Sequence, residues 1–136
     1  MNDRYHLDAN VVLRFLRNDD PKHSPAAARL FARAKAGEIQ LLLSAVTIAE
    51  AFYVLARVYK HAKPEAASKL LPLVQSDLIA VANRPTAIDA LLWVSKANVD
   101  FGDAYLAATA ARSGDSVASF DSDFGAFRDV RTLIPS

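Results

Sequence analysis

The chain has no cysteine, which excludes disulfide scaffolds and thiolate metal sites and fits a reducing compartment. It also lacks an excess of either charge. Sixteen basic residues stand against fifteen acidic ones, for a formal charge of +1, so no chain-wide field marks it for a polyanion; binding one would need a local basic patch. The three histidines, His6, His23 and His61, show no zinc-like spacing. His6, the one nearest a suspected site, reads as a strand residue facing solvent or packing beneath a sheet. The first ten residues carry Asp3 and Asp8 and lack the basic, apolar, small-residue order of a signal peptide, so the cytoplasm is the expected location. No repeat, low-complexity tract or linker breaks the chain. Its 136 residues, 52% hydrophobic and 23% charged, are expected to fold as one domain, 1–136.

Residues 39–59 form a nearly unbroken apolar stretch of membrane-spanning length. Gln40, Ser44, Thr47, Glu50 and Arg57 interrupt it, and a carboxylate near a bilayer midplane costs about 2.5 to 3.5 kcal/mol. A strand followed by a buried helix explains the stretch better, and no membrane is expected.

The pattern along the chain alternates strands with helices. Strands are expected at 4–7, 39–43, 78–81, 116–120 and 130–133. A short helix spans 10–17, and Ser24 as N-cap with Pro25 at the first helical position opens a helix to Ala36, with Gly37 as its stop. Ser44 caps a helix to about Tyr59, Pro64 opens one to about Gln75, and Pro85 opens one from Thr86 to about Lys96. Asp100 caps a helix from Phe101 to Arg112, ended by Gly114, and a short helical turn follows at 122–127. Such alternation predicts a three-layer α/β/α domain with a mainly parallel central sheet, whose ligand site lies beyond the carboxyl ends of the strands.

Asp8, Glu50, Asp103 and Asp121 each lie beside or inside a hydrophobic run, which predicts a buried cation site, because ionised carboxylates removed from water need a shared counter-charge. Glu50 is the only charged residue from Leu41 to Ala56. Arg57, seven positions on, is about 10 Å away along a helix, too far for a direct pair. Asp8 is equally explained by turn chemistry, and Asp121, preferred here over Asp123, by capping of the following turn. Asp100 with Asp103 reads as a capping box, and the positive helix end is expected to keep Asp103 ionised and aimed at the site. A ligand set of oxygens alone suits Mg²⁺ or Mn²⁺, which leads to phosphodiester chemistry.

Leu7-Asp8-Ala9-Asn10-Val11-Val12-Leu13, Thr47-Ile48-Ala49-Glu50, Asp100-Phe101-Gly102-Asp103-Ala104 and Ser119-Phe120-Asp121-Ser122-Asp123-Phe124, in this order, resemble the PIN-domain family. The resemblance covers essentially the whole chain, and in size it looks most like the VapC-type toxins of bacterial toxin–antitoxin pairs. It implies a Mg²⁺- or Mn²⁺-dependent endoribonuclease with Asp8, Glu50, Asp103 and Asp121 as an acidic quartet. Asp8 and Asp103 would be the metal ligands, and Glu50 and Asp121 would shape the site and orient water. Asn10 and Ser119 match accessory polar positions, with Asp100 and Asp123 beside them. Ala9 departs from the family's usual Thr or Ser. The resemblance further implies a structured RNA substrate such as transfer or ribosomal RNA, a cognate antitoxin, and a homodimer. The helix at 45–59, with Phe52, Tyr53 and Tyr59, is expected to be buried in the core over most of its length, and what it leaves exposed is the candidate surface for the second copy or the antitoxin. Arg14, Arg17, Arg84, Arg112 and Arg128 are candidate phosphate contacts.

Two other readings compete. An aspartyl-nucleophile phosphatase would use Asp8 to attack phosphate, but such enzymes want a second acid two positions on, where Asn10 stands. A non-catalytic RNA-binding or partner-binding module would keep the fold without the reaction.

Overall fold

The computed structural model describes residues 3–136; Met1 and Asn2, part of the stretch read for a leader, lie outside the described residues. Strand β1 (Asp3–His6) pairs in parallel with β2 (Ile39–Leu43), and β2 with β3 (Ile79–Val81). A second parallel pair joins β4 (Val117–Ala118) to β5 (Thr132–Leu133). The expected parallel pairing is therefore present, divided between a three-stranded and a two-stranded sheet. Among the described residues six α-helices cover these strands in the three-layer order: α1 (Ala9–Arg17), α2 (His23–Lys35), α3 (Ala45–Arg57), α4 (Lys63–Gln75), α5 (Arg84–Lys96) and α6 (Phe101–Ser113). The apolar stretch at 39–59 divides into β2 and α3, and no helix among the described residues is long and apolar enough to cross a membrane.

Local chemistry sets most boundaries. Ser44 caps α3 as expected, its Oγ accepting from Thr47 N at 3.2 Å. At the end of α2 Gly37 takes φ 79°, which lets Gly37 N reach Ala34 O and Glu38 N reach Arg33 O, a Schellman closure only a residue tolerant of positive φ makes cheaply. The start of α2 differs from expectation. Ser24 lies inside the helix and is buried, and Asp20 does the capping, its carboxylate accepting from Lys22 N at 3.0 Å and His23 N at 2.7 Å. Ser24 Oγ instead accepts from Asp20 N, which locks the acid in place. The strands β4 and β5 are shorter than expected, because the residues around them turn away into loops.

The core runs through both layers. Leu41 and Leu43 of β2, Leu55 of α3, Leu70 of α4, Leu91 of α5 and Ala107 of α6 are all buried. Small residues let the helices approach closely: α4 packs on α5 and α5 on α6 through Ala66, Ala67, Ala87, Ala90, Ala104 and Ala108, each fully buried. Because β1, β2 and β3 run parallel, their carboxyl ends reach one edge, where Asp8 follows β1 and α3 begins.

Candidate active site

Asp8 leaves β1 between buried Leu7 and Ala9, which pin the backbone while the Asp8 side chain stays exposed. Its carboxylate caps α1, accepting from Asn10 N at 3.3 Å. A hydroxyl does stand at this corner, but it comes from α3. Thr47 Oγ1 donates to the Leu7 carbonyl at 3.0 Å and accepts from Ser44 Oγ at 3.3 Å, so the start of α3 is tied to the peptide preceding Asp8. Glu50 is one helical turn beyond Thr47 and therefore flanks the same corner. Ala9 is buried, and an apolar side chain there needs no hydrogen-bond partner.

A second group of acids forms at the start of α6 and after β4. Burial, then the negative charges of Asp100, Asp121 and Asp123, push the Asp103 carboxyl above its ordinary value, with Lys63 opposing. Asp103 alternates with buried Phe101 and Ala104, which anchor this end of α6; the Phe101 ring lies 6.3 Å from Phe52 and 5.7 Å from Tyr105. Asp121 caps the 3₁₀ turn at Ser122–Ala126, accepting from Asp123 N at 2.8 Å, and its own N–H donates to Ser119 Oγ at 2.9 Å. Buried Phe124 and Phe127 hold that turn down, Phe127 lying 4.9 Å from the Trp93 ring of α5.

Several expectations are corrected here. The four acids are not buried: Asp8, Glu50 and Asp121 are exposed and Asp103 is half-buried. The apolar run around Glu50 misleads because α3 exposes apolar residues as well, Val46 at 77% and Tyr53 at 59%. Asp100 stands at the N-cap position of α6 but makes no capping bond with its side chain. It pairs instead with Lys63 at the start of α4, Oδ1 to Nζ 3.1 Å, so there is no capping box. Nor does the helix end keep Asp103 comfortably ionised, since its carboxyl is shifted up rather than down. Of the helix aromatics offered as an interface, Phe52 is buried, and Tyr59 is half-buried beneath the Arg17 guanidinium at 3.5 Å, leaving Tyr53.

Most of the candidate arginines are already engaged. Arg17 pairs with Asp19 at 2.9 Å, Arg112 with Asp89 at 2.7 Å, and Arg14 lies 3.8 Å from Asp19 and 3.9 Å from Asp20. Arg84 donates to the carbonyls of Ser76 and Ile79. Arg128 is exposed. His6 is exposed as expected, and His23 and His61 are taken up by Asp20 and Glu65.

Thr47, bonded to the Leu7 carbonyl, and Lys63, paired with Asp100, are not among the residues singled out from the sequence. Lys63 had a signal: a cation at the first position of a helix opposes the helix dipole and therefore points to a partner elsewhere.

Among the described residues no three of His, Cys, Asp or Glu are grouped tightly enough to enclose an ion by themselves. The donor set nevertheless fits a hard cation, since carboxylates crowd at Asp103 and magnesium keeps waters and shares its shell with substrate phosphate rather than filling a protein cage.

No curated protein matches the chain closely enough to count as a relative. A family model described as PIN domain matches residues 5–130, nearly the whole length. The chain therefore belongs to the PIN domain family, a superfamily of nucleases often found in toxin–antitoxin systems and generally using divalent metal ions.

Proposed function

We propose that this PIN domain is a Mg²⁺- or Mn²⁺-dependent endoribonuclease, the toxin of a toxin–antitoxin pair, with Asp8, Glu50, Asp103 and Asp121 as its acidic residues. The observation that carries this reading is that the negative charges of Asp100, Asp121 and Asp123, from two separate segments, all reach half-buried Asp103 and push its carboxyl up, a repulsion that a bound cation would relieve. Asp8 and Asp103 would hold the ion, which when bound activates water and stabilises the departing oxygen of the phosphodiester. Glu50 and Asp121 orient the attacking water and accept its proton. Ser119 fixes the Asp121 backbone, and Asn10, exposed on the first turn of α1, offers its amide to substrate.

The substrate is structured RNA of the transfer or ribosomal kind, and the protein works in the cytoplasm as a homodimer restrained by an antitoxin. Supporting self-association, Phe120, Leu133 and Ile134 are exposed at 80%, 63% and 61%, and the bond from Ser119 N to Leu133 O brings their segments together. Supporting a bound partner segment, a cleft of about 510 Å³ opens between α1 and α2, lined by Asn10, Val11, Arg14, His23 and Leu30. It begins beside Asn10, so its occupant would reach the site.

The test is incubation of the purified chain with total RNA and Mg²⁺ or Mn²⁺, repeated with EDTA and with Asp8→Asn. Cleavage lost in both repeats supports the reading. Cleavage that survives EDTA removes the metal, and RNA binding without any cleavage leaves a non-catalytic module.

A further inference from the structure

Thr47, Glu50, Tyr53 and Arg57 succeed one another on α3 at spacings of three, three and four, so they form one stripe leading away from the Asp8 corner. Beyond Glu50 this stripe borders a cleft of about 180 Å³ between α3 and the start of α6. Buried Phe52 and Phe101 close it, Tyr53 and Arg57 form one wall, and Asp100 and Gly102 the other. Small-molecule pockets usually run to about 300–1,000 Å³, so this one is sized for a single planar group rather than a large ligand or a folded peptide.

Its chemistry is as specific as its size. Tyr53 is 59% exposed, so its ring is open to a partner at the mouth of the cleft. The Arg57 guanidinium lies 5.8 Å from that ring, and among the described residues no carboxylate pairs with Arg57, whereas Arg14, Arg17 and Arg112 all have acidic partners. The acid on the opposite wall, Asp100, is paired with Lys63 at 3.1 Å. The cleft thus combines an exposed aromatic face with a cation that has no acidic partner, opposite an acid already paired with lysine. That combination takes a base on the ring and its phosphate on the arginine, as in proteins that bind single-stranded nucleic acid.

We propose that the α3–α6 cleft is a nucleotide subsite in which a base flanking the cleaved bond, in an unpaired stretch of the structured RNA, stacks on Tyr53 and its phosphate meets Arg57. The proposal rests on the ribonuclease reading. Because Asp100 lines the cleft and Asp103 follows it on the first turn of α6, the cleft sets which nucleotide can lie next to the reacting phosphate, and so contributes to the choice of cleavage site.

The experiment is fluorescence anisotropy of a fluorescein-labelled single-stranded RNA with the full chain in EDTA, where no cleavage disturbs binding. Light scattering is run on the same samples. Tyr53→Ala is expected to weaken binding roughly five- to a hundredfold, the range for loss of one base–aromatic stack, and Tyr53→Phe to retain it. Arg57→Ala is expected to weaken binding and to flatten its dependence on salt by about one unit of slope. The molar mass stays unchanged in all three. Wild-type-like binding by Tyr53→Ala overturns the subsite while leaving the ribonuclease standing. A change in mass with Tyr53→Ala, RNA affinity per protomer being unaffected, makes the ring part of a protein interface and also overturns it. A wild-type chain that neither binds nor cleaves RNA removes the ribonuclease reading and the subsite together.

Discussion

Thr47 Oγ1 donates to the Leu7 carbonyl at 3.0 Å, which ties the start of α3 to the peptide that precedes Asp8, beside the ladder bond from Leu7 N to Leu42 O at 2.8 Å. The Thr47 bond joins residues forty positions apart, so it contributes to the relation between the Asp8 corner and the helix carrying Glu50. Thr47→Val keeps the side-chain shape and leaves the Leu7 carbonyl without its donor. A stability loss of about 1 kcal/mol is expected in urea unfolding. RNA cleavage is expected to fall further than that loss explains, by up to about a hundredfold, because small displacements of catalytic groups are costly. Thr47→Ser restores the donor and should recover most of the activity; equal activity in the Val and Ser variants would remove Thr47 from the positioning of the site.

Two acids shape the pH profile of the metal-free protein in opposite directions. Burial and neighbouring carboxylates raise Asp103, so its ionised form opposes folding: stability is lower at neutral pH and recovers as the pH falls through its raised value. Asp20 is lowered to about 2, chiefly by the N–H groups of His23 and Lys22, so its contribution is complete above the ordinary value of 3.8 and is lost as the pH falls toward 2. A stability maximum on the mildly acidic side is therefore expected. Asp103→Asn should raise the neutral-pH melting temperature in EDTA and abolish the gain on mild acidification, and Mg²⁺ should stabilise it less than wild type. Asp20→Ala should lower the melting temperature at neutral pH and flatten the loss below pH 3.8. Thermal scans across pH, repeated with Mg²⁺ for Asp103→Asn, check these statements, and an Asp103→Asn protein no more stable than wild type would contradict carboxylate crowding.

The fold was legible because its punctuation is local. Ser44, Pro64, Pro85, Gly37 and Gly114 act on residues within one turn of themselves, so helix boundaries follow from neighbours alone. Ser24 failed for a reason of the same kind, since Asp20, four residues upstream, captured the N–H groups first. The exposure of the acids was not legible: the apolar residues around Glu50 suggest burial, and only the tertiary placement of α3 shows that Val46, Tyr53 and Glu50 face outward together. The pairing of Lys63 with Asp100 likewise joins two helices that sequence spacing does not bring together.

Phe101 connects the core to the acids. It is 1% exposed, stands between the Phe52 and Tyr105 rings, and is two residues from Asp103. Phe101→Ala is expected to cost about 3–5 kcal/mol, the usual range for emptying a buried aromatic site, and to disable cleavage by loosening the start of α6. Phe101→Leu fills much of the same space and should lose far less stability. If cleavage tracks packing at this point, the Leu variant retains a substantial share of activity at a temperature where it is fully folded. Full activity in a folded Ala variant would uncouple α6 anchoring from the reaction.

Lys63 supplies the positive charge that reaches the acids of α6 from another helix, meeting Asp100 at 3.1 Å and opposing the upward shift of Asp103. Both partners of the pair are partly exposed, so its removal alone should change stability by no more than about 0.5–1 kcal/mol. The larger expected effect is on the response to cations. In Lys63→Gln, Asp100 and Asp103 repel each other without compensation, so the metal-free protein should melt earlier and recover more on adding Mg²⁺ than wild type does. Lys63→Arg keeps the charge and should behave as wild type. Melting curves over a magnesium titration measure this directly. Identical magnesium responses in the Gln and Arg variants would mean that the Lys63 charge does not reach the site, leaving solvent screening as the stronger effect.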